Sequence, residues 1–123
     1  MLRSLIFVLI IISAFMGGEK NLHGAPAFIP GINGLPLMEG LVIVPDSHVI
    51  FETLNGRIIE IFAIGENSPT DILSFYGATL QHLGWKANSN NEFWRDEDIL
   101  KIEISDDKMG KFIVRFFIAP KSG

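Results

Sequence analysis

The chain has 123 residues, nearly half of them hydrophobic and about a fifth charged, which is the composition of a single globular domain. Its formal charge is −4 and its lysines and arginines are scattered, so a nucleic-acid-binding protein, which needs a clustered basic patch, is disfavoured. The absence of cysteine excludes internal disulfides, thiolate metal ligands and a cysteine nucleophile.

The N-terminal segment has the pattern of an export signal. Arg3 provides a positive start, Leu5 to Met16 is an apolar run interrupted by one serine, and two glycines end it. The run is short for a membrane-spanning helix, which needs about 20 residues. We predict that residues 1–27 are a signal peptide or an N-terminal membrane anchor, with a buried N-terminal helix as the remaining alternative. Under either of the first two interpretations the rest of the chain is exported.

Residues 28–46 form an arm that is rich in proline and glycine and yet apolar. The prolines and glycines forbid a regular helix, while an ordinary linker would be polar. One interpretation is that the arm packs on its own domain and completes the core, with Leu41–Val44 as a short strand. The other is that it docks on a partner or on a membrane surface, because exposed apolar patches mark interactions. The candidate partner-binding residues are Phe28, Ile29, Ile32, Leu35, Leu37 and Met38.

Residues 47–123 are predicted to be an α+β domain that opens with a hairpin. His48–Leu54 and Arg57–Ile64 have the composition of strands. Asn55-Gly56 between them is typical of a type I′ turn, in which both central residues need positive φ. The second strand is apolar on nearly both faces, so we expect it to be central or covered.

A helix follows the hairpin. Ser68 is a candidate N-cap, Pro69 suits the first helical position, and Gly84 suits a left-handed C-cap. One apolar stripe runs along the helix at spacings of three and four residues. Its members are Ile72, Phe75, Tyr76, Thr79, Leu80 and Leu83. We expect the Tyr76 ring to lie at the edge of the stripe with its hydroxyl reaching the surface.

Four short strands complete the predicted fold. The order is β-β-α-β-β-β-β with short connections, which favours one antiparallel sheet with a single helix packed on one face. The four strands after the helix are expected at 85–87, 92–95, 100–104 and 111–119.

The sequence carries no catalytic motif that we can identify. It lacks the HExxH, GxSxG, P-loop and GxGxxG patterns. Asp46 and His48 could pair as a base and its orienting group, but a turn aspartate before an edge strand is commoner. The acidic turns 96–98 and 106–107 do not match a calcium-loop spacing and are typical of solvated turns. We therefore predict no enzyme, no catalytic or metal-binding residues and no cofactor.

Three arginines are the remaining candidates for a ligand site. Arg57, Arg95 and Arg115 would form an anion site if the sheet gathered them. The sequence does not indicate whether it does.

Three segments resemble a group of small uncharacterised exported or membrane-anchored alphaproteobacterial proteins. They are GLPLMEGL at 34–41, FETLNGRIIE at 51–60 and ILSFYGATLQHLGW at 72–85. Together they give an LPLMxGL arm, a GRI hairpin and an FYxxxLxxLGW helix end. The resemblance implies the fold and a location in the bacterial periplasm, free or tethered to the inner membrane by residues 4–18. It implies no activity.

These observations predict an uncharacterised exported, non-enzymatic domain that binds a protein or an envelope component. The binding surface would be the apolar arm or the open face of the sheet, where Ile113, Phe117 and part of Ile59–Ile61 could supply apolar character. Contact with the membrane would be through the N-terminal segment only. The alternative is a small-ligand-binding or hydrolytic domain with a pocket between helix and sheet.

Overall fold

The computed structural model of the chain describes residues 27–121 and shows one antiparallel sheet with a single helix, an α+β architecture. The segment predicted as a signal peptide or anchor lies outside the described residues up to residue 26. Within the described part, no helix has the length and hydropathy that crossing a bilayer requires. The elements in chain order are β1 Leu41–Ile43, β2 Val49–Thr53, β3 Gly56–Gly65, α1 Pro69–His82, β4 Lys86–Ala87, β5 Glu92–Arg95, β6 Asp98–Asp106 and β7 Phe112–Pro120.

The sheet has seven strands, one more than the predicted order of elements contains, because Leu41–Ile43 pairs with the end of β3. The strands follow the order β1-β3-β7-β6-β5-β4, and β2 pairs with the other half of β3. The prediction that β3 is central is confirmed, since it pairs with β7 on one side and with β1 and β2 on the other.

Strands β1 and β2 lie end to end along β3 and are separated by a bulge. Residues 44–48 face only residues 61–62 of β3, and the surplus chain bulges from the sheet edge. Asp46 adopts φ 58° in this bulge. Ser47 closes the gap, because its hydroxyl donates to the Phe62 carbonyl and accepts from the Phe62 N–H, both at 3.3 Å. Strand β2 therefore occupies its own stretch of the edge.

The β2–β3 hairpin is present where Asn55-Gly56 predicts it, but the prediction of a type I′ turn is wrong. Thr53 pairs with Gly56, so Leu54 and Asn55 are the central residues, and neither has positive φ. The Thr53 hydroxyl stabilises the turn instead. It donates to the Gly56 carbonyl at 2.7 Å and accepts from the Asn55 N–H at 3.3 Å.

Helix α1 begins and ends at the residues that its capping signals predict. The hydroxyl of Ser68, the N-cap, accepts a hydrogen bond at 3.1 Å from the N–H three residues further on. At the C-terminus the Trp85 N–H donates to the Leu80 carbonyl at 3.0 Å, and the Gly84 N–H donates to the Gln81 carbonyl at 3.1 Å. These are the two bonds of a Schellman motif, and they require the left-handed φ of 89° that Gly84 adopts.

One face of the sheet is covered by α1 and the arm together, not by the helix alone. From α1 the buried side chains are Ile72, Tyr76 and Leu80, and the Tyr76 ring meets Phe116 of β7 edge to face with centroids 5.1 Å apart. The arm fills the remaining width with Ile29, Ile32 and Leu35. The other buried core residues are Leu41, Ile59, Ile61, Ala63, Trp85, Phe93, Leu100, Ile102, Val114 and Ile118.

Candidate functional site

The apolar arm that we considered for partner binding lies against its own domain. Leu37 and Met38 are half-buried and pack on the core, whereas Phe28 stays 56 % exposed. The other three predicted residues are at most 4 % exposed and belong to the core: Ile29, Ile32 and Leu35. Of the two alternatives for the arm, packing on its own domain is therefore the one adopted here. Partner binding through the arm stays a prediction that depends on Phe28.

Tyr76 fastens the arm to α1. Its hydroxyl donates to the Pro36 carbonyl and accepts from the Met38 N–H, both at 2.9 Å. Burial raises the pKa of Tyr76 to about 12, while the hydrogen bond from Met38 acts in the opposite direction. The expectation that this hydroxyl reaches the surface is wrong, because the arm covers it.

The second face of the sheet carries large apolar side chains together with charged ones, and nothing in residues 27–121 covers it. Ile113 and Phe117 lie on this open face, as predicted, but Ile59 and Ile61 do not: they are at most 1 % exposed and point into the core. Strand side chains alternate, and the register turns the even-numbered residues of β3 outward. The large apolar side chains of the open face are Val42, Val49, Phe51, Ile58, Phe62, Ile64, Trp94, Ile99, Ile113 and Phe117.

A charged cluster crosses the middle of the open face. Arg115 donates its Nε to Glu60 at 2.6 Å and Nη1 to Glu103. Its guanidinium also lies 4.4 Å from the centroid of the Phe117 ring. Arg115 is therefore committed to two carboxylates and is not part of an anion site.

Strand β2 combines exposure with apolar side chains. All five of its residues are exposed, and Val49, Ile50 and Phe51 keep 43–49 % of their surface. Within residues 27–121 its backbone pairs with β3 alone, so one side of β2 presents unpaired N–H and C=O groups. The opposite edge of the sheet is β4, which has two residues and begins with Lys86, a blunted edge by comparison. An additional strand would find its best pairing site at β2.

Two of the three arginines meet at a cavity of about 230 Å³ between the arm, the β2–β3 turn and β5. Arg95 is already engaged, because its Nη1 donates to the Leu83 carbonyl at 3.0 Å and its guanidinium lies 4.4 Å from the Trp85 ring centroid. Asp98 lines the same cavity as Arg57 and Arg95. The mixed charge does not favour an anion over other small ligands.

The buried indole of Trp85, which also lines that cavity, has an unusual environment. Its Nε1 is enclosed and has no hydrogen-bond acceptor among the described residues. Because this nitrogen is inaccessible to solvent, it is not available to contact a ligand in the cavity.

The residues considered for catalysis are dispersed. Asp46 and His48 are exposed in the bulge before β2, and no hydrogen bond joins them in the described structure. The acidic turns lie at opposite ends of β6, which has nine residues. The two turns are therefore roughly 27 Å apart. In the second turn, Asp106 and Asp107 accept hydrogen bonds from backbone N–H groups of the turn itself. Across residues 27–121, no three His, Asp or Glu side chains cluster to hold a metal ion.

A groove of about 680 Å³ lies where the alternative function requires a pocket, between α1 and the β4–β5 hairpin. Ser74, Gly77 and Gln81 form part of its helical wall, and Ser89 and Asn90 part of the other. No side chain in its lining titrates, so the groove offers hydrogen bonds without an acid or a base.

Comparison with protein-family models, with curated proteins and with solved structures finds no match for the chain. The resemblance to small exported proteins therefore stays a prediction, and function rests on the geometry described above.

The exposed apolar side chains of the β2 edge are the feature that sequence reasoning missed. The available signal was Pro45, four residues before the strand, since proline is confined to edges and bulges of sheets. Exposure of Val49 and Phe51 then follows from having one neighbouring strand instead of two.

Proposed function

We propose that this chain is an exported, non-enzymatic binding module that captures an extended protein segment, or another component of the bacterial envelope, at the β2 edge and the open face beside it. The observation that carries the proposal is the exposure of Val49, Ile50 and Phe51 on a strand whose outer backbone groups have no partner in the described structure. Strand addition uses such an edge, with backbone bonds giving affinity and alternate side chains giving specificity.

The side chains around β2 favour an occupant with apolar residues. Val49 and Phe51 share the open face with Ile58, and Ile50 lies on the other side of the strand beside Ile59. Covering the exposed half of each large side chain stabilises a complex by about 1 kcal/mol. The charged cluster around Arg115 limits the apolar area of the open face. It thereby restricts the registers in which an apolar segment can bind there.

A capture experiment with matched variants tests this proposal. The chain, its Phe51→Ser variant and a Met109→Ser control would be immobilised and exposed to envelope extract, after equal unfolding midpoints have been verified. Met109 is 86 % exposed in the β6–β7 turn, far along the sheet from β2. We expect Met109→Ser to retain the captured component and Phe51→Ser to lose it. Identical capture by all three proteins would contradict the proposal.

Export is a separate part of the proposal and rests on the pattern of residues 1–27. Cell fractionation combined with the intact mass of the chain tests it. A periplasmic or membrane-attached chain supports the proposal, and the mass distinguishes a removed signal from a retained anchor. A chain confined to the cytoplasm would contradict this part.

Small-ligand binding is the second candidate, because the groove beside α1 has the volume of a ligand pocket. The variant Gly77→Leu would fill the groove from the helix, where a Cβ on Gly77 meets no atom within 4 Å. In a ligand screen followed by thermal shift, a ligand that stabilises the wild-type chain but not Gly77→Leu supports this candidate. A ligand that stabilises both equally does not bind in the groove.

A further inference from the structure

We infer that the occupant of the β2 edge is β2 of a second copy of this chain, paired antiparallel about a twofold axis at Ile50. This inference rests on the proposed function, because it requires the β2 edge to be a binding surface. It names the partner at that surface.

The polar side chains of Glu52 on β2 and His48 directly before it select one register. A twofold axis perpendicular to the sheet places residues of the same face opposite each other, so the central residue of the strand faces itself. Centring on Glu52 would oppose two carboxylates, and centring on Phe51 would place Glu52 against Ile50. Centring on Ile50 brings each Glu52 towards His48 of the second copy, the exposed residue directly before β2, and an imidazole can donate a hydrogen bond to a carboxylate.

The same register matches the apolar side chains on both sides of the strand. Val49 faces Phe51 of the second copy on the open face, and Ile50 faces its own counterpart on the helix side. In each copy these side chains are between 43 % and 49 % exposed, so the pairing covers surface that the monomer leaves in water.

The fold leaves room for this arrangement. The outer backbone groups of β2 are unpaired within residues 27–121, because β2 pairs with β3 alone. The Ile50 side chain lies close to the arm, where a Cβ on Gly31 would be 2.9 Å from Ile50 Cδ1. The arm thus supports Ile50 from the core side without adding a strand at the edge. Two such sheets would join into one, with both open faces on the same side.

Disulfide trapping tests the register, since the chain has no cysteine of its own. Single variants Ile50→Cys, Phe51→Cys and Glu52→Cys would be oxidised in the full-length chain under identical conditions. Directly opposed Cβ atoms are close enough for a disulfide after small adjustments, whereas offset pairs are not. We expect Ile50→Cys to form covalent dimers in the highest yield, at least severalfold above the other two. A maximum at Phe51→Cys or Glu52→Cys, or equal yields at all three, would overturn the inference.

Charge exchange provides an independent test by sedimentation of the full-length chain. Glu52→Lys places a cation opposite His48 in both symmetric pairs, and we expect it to raise the dimer dissociation constant about tenfold. The double variant His48→Glu, Glu52→Lys places opposite charges across each pair and is expected to restore the dimer. A monomeric wild-type chain, or a dimer insensitive to these changes, would overturn the inference.

The two proposals fail separately. If disulfide trapping finds no dimer while Phe51→Ser still abolishes capture of an envelope component, the edge binds a different chain and only the second copy is refuted. If β2 neither dimerises nor captures a component, then both proposals are wrong.

Discussion

At the scale of single residues, Tyr76 shows how one hydroxyl can join distant parts of a small domain. Its two hydrogen-bond partners, Pro36 and Met38, are 40 and 38 residues away in the chain. They hold the arm over α1 while the ring packs on Phe116. Because this buried hydroxyl makes hydrogen bonds both as donor and as acceptor, it holds the arm in one defined position.

Removing the Tyr76 hydroxyl is expected to destabilise the domain. In Tyr76→Phe the Met38 N–H and the Pro36 carbonyl lose their partner, so we expect the free energy of unfolding to fall by about 1–3 kcal/mol. Urea denaturation at neutral pH measures it. An unchanged midpoint would show that the arm is held by its apolar contacts alone.

Alkaline titration gives a second readout for the same residue. The pKa of Tyr76 is about 12 in the folded state and 10.0 for an ordinary tyrosine of the unfolded chain. The contribution of the neutral hydroxyl to folding stability is therefore fully present below pH 10 and is lost as the pH rises towards 12. The loss amounts to about 3 kcal/mol over that window. Because Tyr76 is the chain's one tyrosine, phenolate absorbance reports on it alone. Ionisation of the folded protein near pH 10 would contradict the buried hydroxyl.

At the scale of elements, α1 is the part of the fold most closely predicted by the sequence. Its N-cap, its apolar stripe and its glycine stop are all local features, separated by no more than one or two helical turns. Even so, Tyr76 lies at the centre of the buried stripe and not at its edge, since the arm lies over the side that a lone helix would leave open.

Gly77 within α1 and Gly84 just after its C-cap are expected to respond oppositely to alanine. Gly84→Ala puts a Cβ on a residue with φ 89°, and we expect a loss of about 1–2 kcal/mol from left-handed strain, not from a clash. Gly77→Ala removes a poor helix former where a Cβ meets nothing within 4 Å, and should add about 0.5–1 kcal/mol. Unfolding midpoints of both variants under the same conditions check the pair. Equal effects of the same sign would refute the cap geometry.

At the scale of the whole molecule, the arm is a part of the core and not an appendage. Its three buried residues complete the layer that α1 begins on the sheet. The sheet itself starts at Leu41, within the segment assigned to the arm by composition. The second layer, on the open face, is missing from the described chain, and the exposed edge at β2 adjoins it.

A matched pair of arm variants tests this view of the molecule. Leu35 is fully buried, so Leu35→Ala leaves a cavity and should lower the free energy of unfolding by about 2–5 kcal/mol. Phe28 is 56 % exposed, and Phe28→Ala should change it by about 0.5 kcal/mol or less. Chemical denaturation monitored by tryptophan fluorescence measures both. Similar small losses in the two variants would mean that the arm leaves the core in solution.

The sequence by itself determined the strands, the helix with its caps, and the alternation that gives each strand two faces, because these depend on residues a few positions apart. Tertiary structure alone decided which face of β3 enters the core, where the arm lies, and which strand is the neighbour of β2. Those outcomes depend on contacts between residues tens of positions apart. The chain adopts the arrangement in which the sum of such contacts gives the lowest free energy, and no short segment determines that sum. The type of the β2–β3 turn was also decided there, since the register of Thr53 against Gly56 shifted the central residues by one. The candidate binding surface was likewise decided by the tertiary structure, because the unpaired side of β2 can be located only once the order of strands in the sheet is known.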